Sequence, residues 1–558
     1  MAQKIFTVLV GGKAGEGIKK AAQVIAHLAI IHNNHVFQTD DYQSLIKGGH
    51  NFSVVSMSPS RVYNTYKQAN LVISFDSRSV DEHKGDLLEG GLHFCDEADV
   101  RDDTMIPLPL AKLVKTHYPE AGNMSLASIA IFCVVMGISE EFLKDTIARE
   151  FKRNQAENTS FALAVYQLVN QLDLHKVYEL KQEQSVASKF YTGNQLLALG
   201  AWAAGLDCYF SYPMTPASSI LHYLALKRDQ LGIKTVHAES ELAAANMALG
   251  ACFAGKRAAV GSSGGGFALM QEAFSMAGMV EAPLLCFLSS RPGPATGVST
   301  YTAQEDLFFA LNQGHGEFPR IVASPDSFER AFTLAIELMN LAWESQSPAI
   351  LLTEKHLSES ATNLRLDISK VDEYQVVQPD SINYQRYQFT QSGISPLKFP
   401  GSDSATDDDV IKWNTNEHLE SGVRTDKAAN IKLMKEKRQR KSATIDSLSR
   451  KYRRVEVYGK GSTKVFAYGS TALELREAQK YIDFELVVPV YLEPFPHDEL
   501  AAYRGKEVIV VEHSLNPNFA RFLKEKLEIK VKANILRYDG RHFDAGELVN
   551  AIREAIDA

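Results

Sequence analysis

The sequence predicts a multidomain α/β protein containing at least one doubly wound parallel sheet. The first observation is length: 558 residues exceed what one hydrophobic core organises and correspond to about three to five domains. The second is that short β-rich runs alternate with helical patterns in three separate stretches. The third is that two polar segments divide those stretches, one from Glu179 (ELKQEQSVASKFYTG) and one from about Leu366 to Gly459, which includes FPGSDSATDDD from Phe399. The predicted organisation is an N-terminal α/β domain over 1–178, a linker over 179–192, and a doubly wound domain over 193–365. A connector with a basic helix covers 366–459, and a compact α/β domain covers 460–558.

In the first domain, IFTVLV (Ile5 to Val10) reads as a strand because β-branched and aromatic residues dominate it. GGKAGEG (Gly11 to Gly17) reads as a turn, and the helical pattern IKKAAQVIAHLAIIHNN follows. NFSVVSMS and ANLVISFD continue the strands, and Leu126 to Ile138 reads as a buried helix. The second domain supplies CYFSYP, KTVHAE, RAAVGSS, PLLCFLSS, PRIVASP and PAILLTE, with helical stretches between most of them, the pattern of right-handed parallel crossovers. KVFAYGST, FELVVPVYL, KEVIVVEHS and VKANILRYDG form the third set.

Lys+Arg at 59 against Asp+Glu at 67 gives a net charge of −8, which offers no general footprint for nucleic acid or an anionic membrane. The longest apolar run, Leu126 to Ile138, is far short of the roughly 20 residues of a spanning helix. MAQKIFTVLVGG leads straight into folded structure with no room for a signal peptide, so the expected location is cytoplasmic. The five cysteines, Cys95, Cys133, Cys208, Cys252 and Cys286, are more than thirty residues apart in apolar segments. That spacing matches neither a zinc site nor an iron–sulfur cluster, so no metal site is expected on this chain. The basic stretch from Lys427 to Arg454 lacks aromatic interleaving and reads as a solvated or interdomain helix.

The chemistry-bearing motifs concentrate in the second domain: YPMTPAS from Tyr212, HAESELAAANMALGACFAG from His237, GSSGGGFALMQE from Gly261, and SSRPGPATGVSTYTAQEDL from Ser289. GSSGGG between strand and helix permits close backbone approach to a ligand, and it lacks the Lys-Ser/Thr ending of a P-loop. GGKAGEG could present backbone N–H groups to a phosphate, but its glycines at 11, 12, 15 and 17 depart from G-x-G-x-x-G. Taken as a set, these motifs resemble the α subunit of the thiamine-diphosphate-dependent 2-oxoacid:ferredoxin oxidoreductases. The N-terminal domain, with IKGGHNFSVVS around Lys47, resembles that family's γ domain fused ahead of α. The second domain resembles a thiamine-diphosphate pyrimidine-binding domain and the last a transketolase C-terminal-type domain.

The resemblance implies roles for particular residues. Glu241, with Gly250, matches the family's E-(x)8-G segment, whose carboxylate hydrogen-bonds N1′ of the aminopyrimidine. Such a carboxyl needs a dry pocket. Glu239 is the neighbouring rival, and the spacing to Gly250 favours Glu241. Thr215 and Arg291 match the residues that hold the oxoacid carboxylate, for which a planar guanidinium is suited. Tyr212, Pro213, Ser263, Gly264 and Gly265 are the expected thiamine-pocket residues, and Gly12, Gly15, Gly17 and Lys47 the expected CoA or γ-domain site. Lys47 stands where many γ domains carry Arg, keeping the charge and losing the planar fork. His315 in QGHGEFP has a structural explanation more often than a catalytic one.

The chain has no G-D-G with a downstream Asn to hold Mg²⁺ and diphosphate, and no Cys cluster. The resemblance assigns these to a β subunit that carries the diphosphate and Mg²⁺ half of the thiamine diphosphate site and a [4Fe–4S] cluster. The implied reaction is reversible, CoA-dependent oxidative decarboxylation of a 2-oxoacid, with ferredoxin as electron acceptor or donor and a dimer of αβ heterodimers as the assembly. The γ–α fusion, SSGGGFALM and the RPGPATG/HGEFPR pair look most like the 2-oxoglutarate-preferring branch, with pyruvate or a broad range as the alternative. A non-catalytic assembly or CoA-binding subunit is the reading from another class.

Overall fold

The computed structural model describes residues 5–43, 49–118, 120, 122–172, 174, 178, 188–367, 376, 384–402, 405 and 411–558. Two compact units emerge, residues 1–191 with 360–365, and residues 192–359 with 366–558.

The first unit is built on an eight-stranded mixed sheet. Its order is Met105–Leu108, Leu87–Asp96, Ala69–Ser74, Phe6–Lys13, His50–Ser58, His35–Tyr42, Ala361–Leu364 and Lys189–Thr192. Phe6–Lys13 runs parallel to Ala69–Ser74 and antiparallel to His50–Ser58. It extends past the expected end at Val10, because Gly11 and Gly12 pair with Phe52 and Asn51 and continue the ladder. A Cβ on Gly11 would fall 2.2 Å from Ser79 Oγ, so helix Ser77–His83 packs directly on its backbone. The turn is confined to Ala14–Gly17, and Gly15 and Gly17 take the positive φ values it needs. Helix Leu126–Val135 is apolar all round and is buried between Ile18–Ile31 and Gln155–Asn170.

The second unit contains two sheets. The seven-stranded sheet has the order Tyr491–Glu493, Ile321–Ala323, Ala349–Glu354, Leu285–Ser290, Ala258–Ser262, Cys208–Ser211 and Lys234–His237. All its pairings are parallel except that of the edge strand Tyr491–Glu493. The five-stranded sheet runs Val455–Tyr458, Glu485–Pro489, Lys464–Phe466, Glu507–Glu512, Lys530–Leu536. The single apolar run FELVVPVYLE thus serves both sheets, Glu485–Pro489 in one and Tyr491–Glu493 in the other. Phe267, Leu288 and Leu352 accordingly share one hydrophobic cluster with Phe466, Val487 and Phe519.

The basic stretch forms helix Ala428–Ser449, and its charges are partly internal. Lys437 and Lys441 each place Nζ 2.6 Å from a different carboxylate oxygen of Glu281, with all three side chains almost wholly buried. Arg438 pairs with Glu417 at 2.6 Å, and Arg386 donates to the carbonyls of Val280 and Glu281. Burial alone would raise the Glu281 carboxyl, but the two ammonium groups hold it below the usual carboxylate range. Among the described residues no helix is long and apolar enough to cross a membrane.

Candidate active site

In an open parallel sheet the backbone leaves the carboxyl ends of the strands with free loops, and ligands bind there. Four neighbouring strands of the seven-stranded sheet deliver the predicted residues to that edge. Cys208–Ser211 leads into Tyr212, Pro213 and Thr215; Ala258–Ser262 into Ser263, Gly264 and Gly265; Leu285–Ser290 into Arg291; and Lys234–His237 into the segment ending at Glu241.

Ser240 caps helix Glu241–Phe253, its Oγ accepting from the Ala243 N–H at 3.2 Å. This cap fixes Glu241 in the first turn, where the helix dipole favours a carboxylate. Glu241 is 4% exposed and its Oε1 is buried without a hydrogen-bond partner, whereas Glu239 is exposed. Gly266 lies against it: a Cβ there would fall 2.1 Å from Ser262 Oγ and 2.5 Å from Glu241 Oε1. The Gly266 N–H points at Met214 Sδ, 3.4 Å away, and the Ser263 hydroxyl is a second buried oxygen without a partner. A Cβ on Gly265 would sit 3.7 Å from Met214 Cε, so the YPMTP loop and the triple glycine close on one another. Tyr212 is exposed at the rim, its ring 6.2 Å from that of His237, and Pro213 is half-buried.

Arg291 is buried and donates from Nη1 to the Thr215 carbonyl at 2.8 Å, which brings the two predicted carboxylate-binding residues together. Burial lowers the guanidinium's pKa, and Asp306 partly offsets this. The sequence reading did not single out Asp306. It accepts from Ser290 Oγ at 2.6 Å, a Cβ on Gly264 would fall 2.9 Å from its oxygens, and burial pushes its carboxyl up. Gln304 and Glu354 were also missed. Glu354 ends its strand fully buried, accepts from Gln304 Nε2 at 2.8 Å and the Ser470 N–H at 3.0 Å, and burial pushes its carboxyl up to about 7. These residues sit in the run TAQEDL and at the end of an apolar strand, and only the fold brings them to the site.

In the first unit, Gly15 and Gly17 line a cavity of about 650 Å³ together with Lys20, Asn123, Lys152 and Arg153. Gly12 is in the strand and its Cβ position faces Ile18 and Glu16, while Lys47 lies outside the described residues. His315 bonds Ser275 through Nδ1 at 2.8 Å beside a separate groove with Glu272 and Glu317.

Residues 199–443 match the thiamine-diphosphate-binding family of pyruvate flavodoxin/ferredoxin oxidoreductases, and residues 7–168 match the pyruvate ferredoxin/flavodoxin oxidoreductase family. The chain is 29% identical to a 2-oxoacid:ferredoxin oxidoreductase α subunit from Sulfolobus sp, over 98% of this chain and 96% of that one. It is 36% identical to the ketoisovalerate oxidoreductase subunit VorB of Methanothermobacter thermautotrophicus, over 34% of this chain and 53% of that one. Its fold matches the structure of 2-oxoglutarate:ferredoxin oxidoreductase from Magnetococcus marinus with 2-oxoglutarate, coenzyme A and succinyl-CoA bound. That match has a TM-score of 0.90 at 27% identity and covers 99% of this chain and 100% of that one.

Proposed function

Because this chain belongs to the 2-oxoacid:ferredoxin oxidoreductase family, we propose that it is the γ–α fused subunit of an enzyme that oxidatively decarboxylates 2-oxoglutarate. With CoA the products are succinyl-CoA, CO₂ and two reduced ferredoxins. The observation that carries this reading is the pairing, at one sheet edge, of a buried carboxylate oxygen without a partner and an Arg291–Thr215 couple.

The residues present fit the aminopyrimidine half of thiamine diphosphate. Glu241 Oε1 is an orphaned polar atom, the lack of a side chain at Gly266 lets that carboxylate lie against the helix backbone, and Ser263 offers a buried hydroxyl without a partner. When bound, thiamine diphosphate supplies the carbon nucleophile and the electron sink for decarboxylation. Glu241 holds a proton at the ring nitrogen N1′, in a pocket dry enough for that proton to move. Met214, Gly264 and Gly265 shape the pocket wall, with Tyr212 and Pro213 at its mouth. Arg291 has one nitrogen on the Thr215 carbonyl, which fixes its plane and leaves further N–H donors for the substrate carboxylate. Thr215 adds a hydroxyl to the same group. Gly12, Gly15, Gly17 and Lys47 are assigned to CoA. In the cavity that Gly15 and Gly17 line, Lys152 and Arg153 supply charge for its phosphates, beside Lys20, which pairs with Glu150 at 2.7 Å.

A β subunit carrying Mg²⁺, the diphosphate site and a [4Fe–4S] cluster completes the enzyme, in a dimer of αβ heterodimers that exchanges electrons with ferredoxin. One face of helix Glu241–Phe253 supports this. Leu242, Asn246, Met247 and Gly250 are exposed along it, Leu269 is exposed on the neighbouring helix, and a Cβ on Gly250 would meet nothing within 4 Å. A mid-helix glycine costs about 1 kcal/mol against alanine, and among the described residues nothing packs against its Cβ position to offset that cost.

The second reading, a broad-range 2-oxoacid enzyme, is favoured by the ketoisovalerate relative. Anaerobic, CoA-dependent viologen reduction by the complex of this chain with its β subunit separates the two. A strong preference for 2-oxoglutarate, with succinyl-CoA as product, supports the proposal. Equal rates with pyruvate or 3-methyl-2-oxobutanoate reject the substrate assignment. No turnover with any oxoacid, in a complex that retains thiamine diphosphate and its cluster, favours a non-catalytic role.

A further inference from the structure

The loop that leaves strand Leu285–Ser290 with Arg291 is held at its far end by the C-terminal segment 460–558. Gln304 is 1% exposed and uses every hydrogen-bonding position of its side chain. Its Nε2 donates to Glu354 Oε1 and to the Tyr468 carbonyl, both at 2.8 Å, and its Oε1 accepts from Thr471 Oγ1 and the His513 N–H, both at 3.0 Å. Its backbone is tied as well, its N–H donating to the His513 carbonyl at 2.7 Å and its carbonyl accepting from the Tyr468 hydroxyl at 3.1 Å. Two residues upstream, the Thr302 N–H donates to the Gly540 carbonyl at 3.0 Å. The Arg541 guanidinium stacks 3.9 Å from the Tyr301 ring centroid, and a Cβ on Gly540 would fall 2.9 Å from Tyr301 Cβ and 3.5 Å from Pro292. The same loop reaches the pocket at its other end. There Arg291 grips the Thr215 carbonyl and a Cβ on Gly265 would sit 3.7 Å from the Ala295 carbonyl, while at the pinned end Asp306, just past Gln304, backs Gly264.

We propose that Gln304 and Arg541 are positioning residues for the oxoacid-binding arginine: the C-terminal segment clamps the 291–306 loop and so sets where Arg291 meets the substrate carboxylate. The proposal rests on the assignment of Arg291 to that carboxylate. A saturated buried amide has one arrangement that satisfies all its partners, so the loop's far end is pinned and its displacement is costly. Arg541 is exposed and acts from the rim through the Tyr301 ring. Neither residue is placed on the substrate.

The test uses the complex with its β subunit. KM for 2-oxoglutarate, kcat and the thermal midpoint are measured for Gln304→Leu, Arg541→Ala and Arg291→Ala, and for Arg541→Ala combined with Arg291→Ala. Small displacements of an orienting group cost rate steeply, so Arg541→Ala is expected to raise KM roughly three- to tenfold, and Gln304→Leu more. Thiamine diphosphate content stays at the wild-type level. In the Arg291→Ala background, Arg541→Ala is expected to leave KM where Arg291→Ala put it, because the group it positions is gone. The proposal is overturned if Arg541→Ala multiplies KM by the same factor in both backgrounds, or leaves KM unchanged while Arg291→Ala raises it. If Arg291→Ala itself leaves KM unchanged, the carboxylate assignment fails, a result distinct from either of these. Should Gln304→Leu not fold, Arg541→Ala decides the question, and Tyr301→Phe, which keeps the stacked ring, should retain the wild-type KM where Tyr301→Ala does not.

Discussion

Gly266→Ala is the smallest change that probes the Glu241 pocket. The added methyl would start 2.1 Å from Ser262 Oγ and 2.5 Å from the Cγ and Oε1 of Glu241. Comfortable carbon contacts begin near 3.5 Å, so the carboxylate must retreat by about 1 Å. Overpacking of this kind costs typically about 1–3 kcal/mol, and the better helix propensity of alanine returns up to about 1 kcal/mol. The net loss of stability is therefore small enough for the protein to fold. A 1 Å error at a group that handles a proton costs about 10²-fold in rate. The assay is anaerobic viologen reduction by the assembled complex at saturating 2-oxoglutarate and CoA, with the thermal midpoint measured on the same preparation. The expected outcome is kcat lowered about 10²-fold with a midpoint within a few degrees of wild type. A variant with wild-type kcat would refute the placement of Glu241 Oε1 at the reacting cofactor.

Glu354 provides a pH-dependent signature. Burial raises its carboxyl from 4.5 to about 7, so the folded chain holds this proton more tightly than the unfolded one. Stability at this site is fully present below about pH 4.5 and declines as pH rises through about 7, by ~1.4 kcal/mol per unit and ~3 kcal/mol across the window. Urea midpoints of wild type and Glu354→Gln should therefore diverge in favour of the variant from pH 5 to pH 8, and parallel pH profiles would contradict the burial argument. Glu281→Gln leaves Lys437 and Lys441 buried without a counter-charge, so unfolding free energy should fall by about 3–5 kcal/mol. Urea unfolding checks this, and a loss below about 1 kcal/mol would mean the cluster is solvated in the native state. Gly250→Leu should leave the isolated chain's melting within about 1 kcal/mol of wild type, since its Cβ position is open, yet weaken association with the β subunit. Size-exclusion chromatography of the mixed subunits reads this, and undiminished co-elution would place the interface elsewhere.

The parts of the fold legible in the sequence are those with a local cause. The parallel strands Ala258–Ser262, Leu285–Ser290 and Ala349–Glu354 are short apolar runs, the form a strand takes when both faces are covered. Leu126–Val135 is apolar on all sides, as a central helix must be. Strand Ala361–Leu364 was not legible, because it completes the first unit's sheet by pairing with His35–Tyr42, more than three hundred residues earlier. The end of the first strand was also misjudged. Gly11 and Gly12 read as turn residues, but here glycine admits a neighbouring helix rather than a bend.

At the site, Glu241, Thr215, Arg291 and the glycines from 264 to 266 lie in motifs immediately after strands, where sequence neighbours remain neighbours in space. Glu241 opens the capped helix and is buried, whereas Glu239, before the Ser240 cap, is exposed. Gln304, Asp306 and Glu354 carried no such signal. The partners of Gln304, which are Tyr468, Thr471 and His513, come from a segment about 160–210 residues later, and only the tertiary fold makes an ordinary glutamine in TAQEDL the fully bonded anchor of a loop.

The most direct measurement of the central claim is single-turnover reduction by the Glu241→Gln complex. The wild-type complex, loaded with thiamine diphosphate, should reduce viologen on adding 2-oxoglutarate and CoA. The variant should assemble with the β subunit and lose at least about 10²-fold in rate, the usual contribution of a positioned acid–base group. An assembled, cofactor-loaded Glu241→Gln complex turning over at the wild-type rate would contradict the account.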